Sequence, residues 1–350
     1  MWESKYVSSL WDGPVLYVTH PAFGHHDTGP LHPERTARLR AVQAGVEDSG
    51  LAIHRRSPRP AERDWLERVH TPAYLDALER FCRQGGGHLD PDTVVGPESW
   101  DAALLAAGAG PGAAAELSTS KDPVRLAFLG LRPPGHHATA DRAMGFCLLN
   151  NVAITAALLA DDGARVAIVD WDVHHGNGTQ DMFFADPRVL YVSIHQFPFY
   201  PYQGRMDELG VGEAAGCTIN LPLPAGSAGD AYRASWESVI GPIISQFQPD
   251  WLMISAGYDA HAEDPLAEMR LEAPDYGWMA ARMAAALPGV PVVAFLEGGY
   301  HLPALTSSVA STLRGFCGET PPTSNGFRSP PEAFGVIDGV RRVAGRYWSL

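Results

Sequence analysis

The chain has 350 residues, 45% of them hydrophobic, and a formal net charge of -14. This hydrophobic content supports a sizeable core and excludes global disorder, while the acidic balance argues against a nucleic-acid partner. The four cysteines form no CxxC pair, no apolar stretch is long enough to span a membrane, and the first residues do not resemble a signal peptide. These features predict a protein of the reducing cytoplasm, without a disulfide framework or a thiolate zinc cluster.

Six short apolar runs predict strands, and the segments between them predict helices. The runs are continuous rather than alternating, which is typical of strands covered on both faces. In chain order, the strands are predicted at 15–18, 125–131, 166–170, 189–194, 251–256 and 290–296. The helices are predicted at 99–117 (with an interruption near Pro111), 150–163, 231–247, 273–287 and 302–316. The alternation predicts an α/β fold with a mainly parallel sheet.

The domain organisation is predicted to be a single domain over residues 1–350, because no long linker divides the chain. Residues 1–13 form an N-terminal extension with three aromatic side chains. This extension fits a groove cover and a subunit contact equally well, so a homo-oligomer stays open. The Pro-rich segment 318–332 is interpreted as a surface excursion before a last helix.

Polar clusters directly follow four of the predicted strands. These clusters are His136–His137, Asp170–Asn177, Asp259 and Tyr300. In open parallel sheets, ligands bind outside the carboxyl ends of the strands. We therefore expect these four segments, which are distant in sequence, to meet in one crevice.

The spacing of Asp172 and His174 indicates a metal site. On extended backbone, side chains at i and i+2 point the same way, so both can reach one ion. Asp259 would add a third ligand and leave the fourth position to water or substrate, as in catalytic zinc sites. Taken alone, the Asp-x-His motif is more often a capping Asp and a core His than a metal site.

The tandem His136–His137 offers a candidate general base and acid. An acid–base His needs its second ring nitrogen held by a partner, and Asp170 and Asn177 are candidates for that role. Tyr300 follows two glycines and could donate to a developing oxyanion. The alternatives are two solvated histidines on a surface loop and an ordinary Gly-Gly-Tyr turn.

Together these motifs resemble the zinc-dependent histone deacetylase family, within the arginase–deacetylase fold. The resemblance is carried by "HPERTARL" (32–39), "VHTPAYL" (69–75), "RPPGHHA" (132–138), "GFCLLNNVA" (145–153), "VDWDVHHGNGTQDMF" (169–183), "SIH" (193–195), "SAGYDAH" (255–261), "DPL" (264–266) and "LEGGY" (296–300). These stretches occur in the family's order and cover most of the chain. The resemblance implies a single domain around an eight-stranded parallel sheet flanked by helices.

The resemblance also implies the roles of the polar residues. Zn²⁺ would be bound by Asp172, His174 and Asp259. His137 would be the general base and acid, and Tyr300 would polarise the carbonyl of an N-acetyl amide. The implied activity is hydrolysis of that amide with release of acetate.

Two further roles concern the partners of the tandem histidines. The resemblance implies that His136 is an electrostatic helper hydrogen-bonded to Asp170. Asn177 stands where class I members carry Asp, so the chain resembles the class II branch. A neutral Asn stabilises a protonated His137 less than a carboxylate would, which favours the base-competent form at neutral pH.

Potassium sites near the zinc loop are implied as well. The residues that match the first K⁺ site are Asp170, Asp172, His174, Ser193 and Ile194. The residues that match a second site, through their backbone, are Phe183, Asp186 and Val189.

The resemblance implies a tunnel for a lysine-like stem. Phe146, after Gly145, matches one wall, and Tyr200 is the nearest match on the opposite wall, where the family usually has Phe. Leu266 stands where a polyamine-selective relative carries Glu, which favours an acetyl-lysine-type substrate. Asp92 falls where some relatives place an acid that binds the substrate's backbone amides.

Three alternatives remain at this stage. An acetylpolyamine amidohydrolase would need an acid at the tunnel mouth, for which Asp27 and Glu98 are candidates. A dimanganese ureohydrolase would need a second set of carboxylates, for which Asp264 is a candidate. A non-catalytic binder of an acetylated ligand would need neither. Cys147, beside the tunnel, fits a buried packing thiol better than a redox-sensitive one.

Overall fold

The computed structural model describes residues 14–119, 125–319, 321 and 326–350. The N-terminal extension 1–13 lies outside the described residues, and so does part of the Pro-rich segment, namely 320 and 322–325. The last helix begins at Pro331, inside the segment interpreted as an excursion. The groove or subunit contact expected for the extension stays a prediction, as does the single-domain assignment.

One eight-stranded sheet organises the described chain. Its strands are β1 (Val15–Val18), β2 (Ile53–Arg56), β3 (Leu126–Leu129), β4 (Val166–Asp170), β5 (Val189–Gln196), β6 (Thr218–Leu223), β7 (Trp251–Ala256) and β8 (Val292–Leu296). Their order across the sheet is β2-β1-β3-β8-β7-β4-β5-β6, and every neighbouring pair is parallel. The predicted α/β class with a parallel sheet is confirmed.

Helices cover both faces of the sheet, as the fully buried central strands require. They are α1 (Ala37–Asp48), α2 (Arg63–Leu66), α3 (Pro72–Arg83), α4 (Ser99–Thr119), α5 (Asn151–Asp161), α6 (Asn177–Phe183), α7 (Gly229–Ser235), α8 (Gly241–Phe247), α9 (Ala273–Ala286), α10 (Leu302–Phe316) and α11 (Pro331–Ala344). The core on one face draws on α1 and α7–α11, and the core on the other draws on α2–α6. Among the described helices, none has both the length and the apolar character needed to cross a membrane.

The two edge strands were not predicted. β2 has the sequence IHRR, and three of its four residues are exposed. β6 carries Pro222, which cannot donate to a strand on its open side. Edge strands depart from the continuous apolar pattern because charge and proline there prevent pairing with other chains.

The predicted break at Pro111 is wrong, because α4 runs from Ser99 to Thr119 without interruption. A proline removes one helical hydrogen bond and usually kinks the helix. Here the preceding turns are buried between the sheet and α5, so tertiary packing holds the helix together across the defect.

The four strands predicted to end in polar clusters are the four central strands, β3, β8, β7 and β4. They are direct neighbours and run in parallel. Their carboxyl ends therefore meet at one edge of the sheet, and the residues that follow them form the site described next.

Candidate active site

Asp172, His174 and Asp259 converge on one point beyond the ends of β4 and β7. Their ligand atoms all lie within 4.8 Å of one another. His174 Nδ1 is 3.2 Å from Asp172 Oδ1 and 3.2 Å from Asp259 Oδ2. Asp172 and His174 lie in a bend, and not on the extended backbone that their spacing predicted. The bend forms because Asp170 and Asp172 each accept the N–H two residues ahead, which is an Asx turn.

The remaining oxygens of both carboxylates are fixed by backbone donors. Gly298 N donates to Asp172 Oδ2 at 2.7 Å, and Val173 N donates to Asp259 Oδ1 at 2.9 Å. Such outer contacts orient metal ligands. A Cβ at position 298 would lie 2.1 Å from Asp259 Oδ2, so only glycine fits beside the carboxylates.

This ligand set fits a zinc ion. Ligand atoms about 2.0–2.1 Å from a tetrahedral zinc are about 3.3–3.4 Å apart, close to the two 3.2 Å separations around His174. Burial disfavours a charged imidazole, yet Asp172 and Asp259 raise the pKa of His174 to about 10. The pocket formed by the two carboxylates therefore strongly favours a cation at this ring nitrogen.

His137 is held as a neutral base. Burial, together with the neighbouring His136 and His174, keeps its pKa well below the usual range. Its Nδ1 lies 2.9 Å from Asn177 Oδ1, and the amide of Asn177 donates to Met144 Sδ at 3.5 Å. Because the oxygen of Asn177 can only accept, His137 carries its proton on Nδ1 and keeps a free lone pair on Nε2.

His136 has the opposite charge state, although its ring centroid is 4.0 Å from that of His137. Burial alone would lower its pKa, but the carboxylates of Asp170 and Asp172 raise it to about 10. Its Nδ1 lies 3.0 Å from Asp170 Oδ2, which also accepts from the hydroxyl of Tyr191. The turn thus presents one cationic and one neutral imidazole side by side.

Tyr300 borders the same pocket, and its backbone is held from two sides. Its N–H donates to Asp264 Oδ2 at 2.6 Å, and Arg38 Nε donates to the Gly299 carbonyl at 2.7 Å. The Arg38 guanidinium also lies 4.9 Å from the Tyr300 ring centroid. Burial raises the pKa of the Tyr300 phenol well above its usual value, so the hydroxyl stays protonated and can donate.

The geometry gives no support to a two-metal ureohydrolase site. Asp264 accepts backbone N–H groups from Tyr300, His301 and Leu266, and it belongs to neither group of candidate metal ligands in the described chain. His175 turns away, with Nε2 3.0 Å from Gln180 Oε1. In the described parts of the chain, no second set of carboxylates joins the first.

A pocket of about 230 Å³ leads down to these groups. All five residues predicted for the tunnel line it, namely Gly145, Phe146, Tyr200, Leu266 and Asp92. Neither Asp27 nor Glu98, the alternative rim acids, borders it. Burial and the adjacent Asp90 raise the pKa of Asp92 to about 6.

Two aromatic rings lie close to the polar floor of this tunnel. The Phe146 ring meets Tyr300 edge-on at 5.8 Å, and the Tyr200 ring meets His137 edge-on at 5.3 Å. Gly145 has φ +55, and a Cβ there would lie 2.4 Å from the His137 ring. Cys147, also on the pocket wall, is fully buried, and burial raises its thiol pKa well above the usual value.

The residues that match the two potassium sites lie at the ends of β4 and β5 and in the turns between α6 and β5. Asp170 and Ser193 are register partners on β4 and β5, and Ile194 follows directly. Asp172 and His174 complete this set at the end of β4. At the second set, the carbonyl of Phe183 accepts from Asp186 N and the carbonyl of Asp186 accepts from Val189 N, in two consecutive turns.

Sequence reasoning assigned no role to a buried ion network formed by Glu34, Arg38 and Arg132. Arg132 donates to both carboxylate oxygens of Glu34, at 2.6 and 2.7 Å, and Arg38 donates to Oε1 at 3.1 Å. Burial would raise the pKa of Glu34, but the two guanidiniums lower it to about 2. The available signal was the presence of these charges inside "HPERTARL" and "RPPGHHA".

Comparison with known proteins agrees with this geometry. The model of the histone deacetylase domain family matches residues 32–316. Histone deacetylase 10, chloroplastic, from Oryza sativa subsp. japonica is 40% identical over 334 residues, which cover 89% of this chain and 74% of that protein. A probable deacetylase from Archaeoglobus fulgidus is 39% identical over 311 residues, which cover 85% of this chain and 86% of that protein.

Among solved structures, the crystal structure of the HDA15 HD domain matches with a TM-score of 0.88 and 32% sequence identity. The match covers 97% of this chain and 96% of that chain. The resemblance drawn from the motifs is thus confirmed, and the protein belongs to the histone deacetylase family.

Proposed function

We propose that the protein is a zinc-dependent amidohydrolase that cleaves the N-acetyl amide of an acetyl-lysine-type substrate and releases acetate. The observation that carries this proposal is His137, which lines the pocket with its Nδ1 held by Asn177, beside the converging Asp172, His174 and Asp259. Membership of the histone deacetylase family supports the reaction class.

Zn²⁺ is the proposed cofactor, held by the two carboxylates and Nδ1 of His174. When bound, it supplies a Lewis acid and lowers the pKa of a coordinated water. K⁺ is proposed beside it, at the carbonyls and side chains around Asp170 and Ser193. The four unpaired cysteines support a reducing compartment such as the cytoplasm.

The chain's own proton chemistry divides between the two histidines. His137 Nε2 accepts a proton from the attacking water, while Asn177 holds the ring in the required tautomer. His137 then returns the proton to the leaving amine. His136, kept cationic by Asp170, contributes a fixed positive charge close to the developing negative charge.

Tyr300 stabilises the oxygen of the acetyl carbonyl as charge develops on it. Its phenol is protonated and borders the pocket. Asp264 and Arg38 fix the backbone on either side, so little reorganisation is needed when the oxygen becomes charged. Preorganised donors of this kind are among the largest contributions to enzyme catalysis.

The tunnel favours an alkyl stem with a neutral flank. Phe146 and Tyr200 provide apolar surface for methylene groups, and Leu266 provides no charge for a second ammonium. Asp92 supports the second candidate, an acetylpolyamine, because it is an acid on the pocket lining. It serves an acetyl-lysine peptide equally well by accepting from a backbone N–H.

Rates on an acetyl-lysine peptide and on N-acetylputrescine, measured side by side, test the proposal. The metal-depleted protein should be inactive and should recover with one equivalent of Zn²⁺, with the peptide preferred. Leu266→Glu should raise the relative rate on acetylputrescine, and the neutral control Leu266→Gln should not. Failure to cleave either amide with any divalent ion would overturn the enzyme assignment in favour of an acetyl-ligand binder. A preference of the wild type for acetylputrescine would overturn the substrate class alone.

A further inference from the structure

A second group of metal-ligand side chains lies beside the proposed catalytic centre, where the wall of the tunnel meets its floor. It consists of His136, Cys147 and Glu297, whose ligand atoms lie within 4.8 Å of one another. They come from the turn after β3, the loop before α5 and the end of β8, so the fold brings three separate segments together. All three are buried.

The contacts of His136 and Glu297 leave one ligand atom free on each. His136 Nδ1 is held by Asp170, which leaves Nε2, 3.9 Å from Asp172 Oδ1, as the available nitrogen. Glu297 Oε2 accepts from Gly135 N at 2.7 Å and from His136 N at 3.2 Å. Glu297 Oε1 is buried and has no hydrogen-bond donor among the described residues. A buried carboxylate oxygen without a partner is costly, and native structures rarely tolerate one without a reason.

This arrangement has the features of a metal site. Metal-ligating histidines usually donate their other ring N–H to a carboxylate, as His136 does to Asp170. A mixed imidazole, thiol and carboxylate set suits Zn²⁺, and the sulfur favours softer ions. His136 and Cys147 both line the tunnel pocket, so an ion can reach them by the path that a substrate would take.

We propose that His136, Cys147 and Glu297 form a second cation site that takes a thiophilic divalent ion, Zn²⁺ in excess or Cd²⁺, and that its occupancy inhibits hydrolysis. On binding, the thiol proton, the proton on His136 Nε2 and any proton on Glu297, whose carboxyl pKa burial raises to about 7, pass to water, and the ion forms bonds to sulfur, nitrogen and oxygen. The bound ion would lie beside Asp172, whose Oδ1 is 3.9 Å from His136 Nε2, and would therefore disturb the proposed catalytic centre. Binding of the ion at this site does not depend on the proposed function, whereas inhibition of hydrolysis rests on it.

Cadmium binding tests the site directly, because the proposed catalytic ligands contain no sulfur. The wild type should bind about two Cd²⁺ per chain and show the ultraviolet absorption of a cadmium–thiolate bond. Cys147→Ser and Cys147→Ala should each bind about one Cd²⁺ and lose that absorption. Cys317→Ser, which changes a cysteine that belongs to no such group, should behave as the wild type does.

Inhibition is measured as each variant's activity at excess Zn²⁺ relative to its own activity at one equivalent. The Zn²⁺ concentration that halves the rate should rise at least about tenfold in Cys147→Ser and stay unchanged in Cys317→Ser. One bound ion without thiolate absorption in an active wild type would overturn the second site and leave the proposed function standing. Absence of any bound ion and of any hydrolysis would instead overturn the proposed function.

Discussion

The floor and the wall of the tunnel are built in different ways. The floor residues follow four neighbouring parallel strands at the centre of the sheet, and those strands are fully buried. The wall residues Phe146, Tyr200 and Leu266 lie on segments without regular structure. Strand ends are positioned by the sheet itself, whereas a loop needs side-chain contacts to hold its shape.

The loop that carries Tyr200 shows what such contacts look like. Glu208 Oε2 accepts from Gly204 N at 3.2 Å and from Gln180 Nε2 at 2.6 Å. His195 Nε2 lies 2.9 Å from the Gly204 carbonyl. These groups connect the loop to β5 and α6, so the wall depends on a few replaceable hydrogen bonds. We therefore expect floor mutations to abolish the reaction and wall mutations to tune it.

The largest effect is expected at the floor, for Asp259→Ala. This change removes one proposed ligand and also the acceptor of Val173 N. At one equivalent of Zn²⁺, below the excess that the proposed second site needs, bound metal should fall from about one ion per chain to almost none, and hydrolysis should fall below detection. Metal analysis and a rate assay measure this, with the exposed Glu98→Ala as a control that should keep both. Retained metal and activity would show that Asp259 is not a ligand.

The next effect concerns the oxyanion donor, through Tyr300→Phe. We expect kcat to fall by about 10²-fold or more with little change in KM, as when one oxyanion donor is lost. Asp264 and Arg38 are hydrogen-bonded to the backbone at Tyr300 and Gly299, so the aromatic ring of the variant should keep its position. A rate close to that of the wild type would remove Tyr300 from the mechanism.

An intermediate effect is expected for Asn177→Asp, which places a negative charge next to Nδ1 of the proposed base His137. Burial, His136 and His174 hold the pKa of His137 well below its usual value, so the wild type should stay active well below pH 6.5. A carboxylate at 177 stabilises the imidazolium and raises that pKa by about one unit or more. Because only the neutral ring is a base, the acid limb of the kcat/KM profile should move to higher pH.

The control for this shift is Met144→Leu, which removes the other contact of the Asn177 amide without adding charge. Its acid limb should stay where the wild type has it. A profile of Asn177→Asp that is unchanged, or displaced to lower pH, would contradict the assignment of His137 as the base.

The smallest effect is expected at the wall, for Glu208→Gln. The loss of charge-assisted hydrogen bonds to the Tyr200 loop costs about 1 kcal/mol, which corresponds to about a fivefold rise in KM. The kcat should change less. Asp207→Asn, at an exposed ion pair with Arg205, is the matched control and should leave KM unchanged. A large loss of kcat in Glu208→Gln would show that the wall is as critical as the floor.

The difference between floor residues at strand ends and wall residues on loops also explains which parts of the site the sequence could predict. Each floor residue directly follows an apolar run, so the rule for parallel strands was enough to group His137, Asp172, Asp259 and Tyr300. The central strands were found for the same reason. The edge strands were not, because charged residues in β2 and the polar residues and proline of β6 interrupt the apolar pattern.

Long-range pairing of charges was beyond sequence reasoning. Arg38 is 261 positions from Gly299, and nothing local indicates that its guanidinium supports that carbonyl. Glu297 and Glu34 lay within recognised motifs but received no role. The effect of a buried charge depends on the charges and hydrogen-bond partners around it, and only the folded chain brings those partners together.

The two hydrogen bonds that hold the backbone around Tyr300 make this position suitable for varying the acidity of its hydroxyl by unnatural amino acids. Asp264 holds its N–H and Arg38 holds the preceding carbonyl, and neither contact uses the phenol. Fluorinated tyrosines could therefore be incorporated there to vary the acidity of the hydroxyl while the loop stays in place. The slope of rate against acidity would then measure how far the hydrogen bond tightens at the rate-limiting barrier.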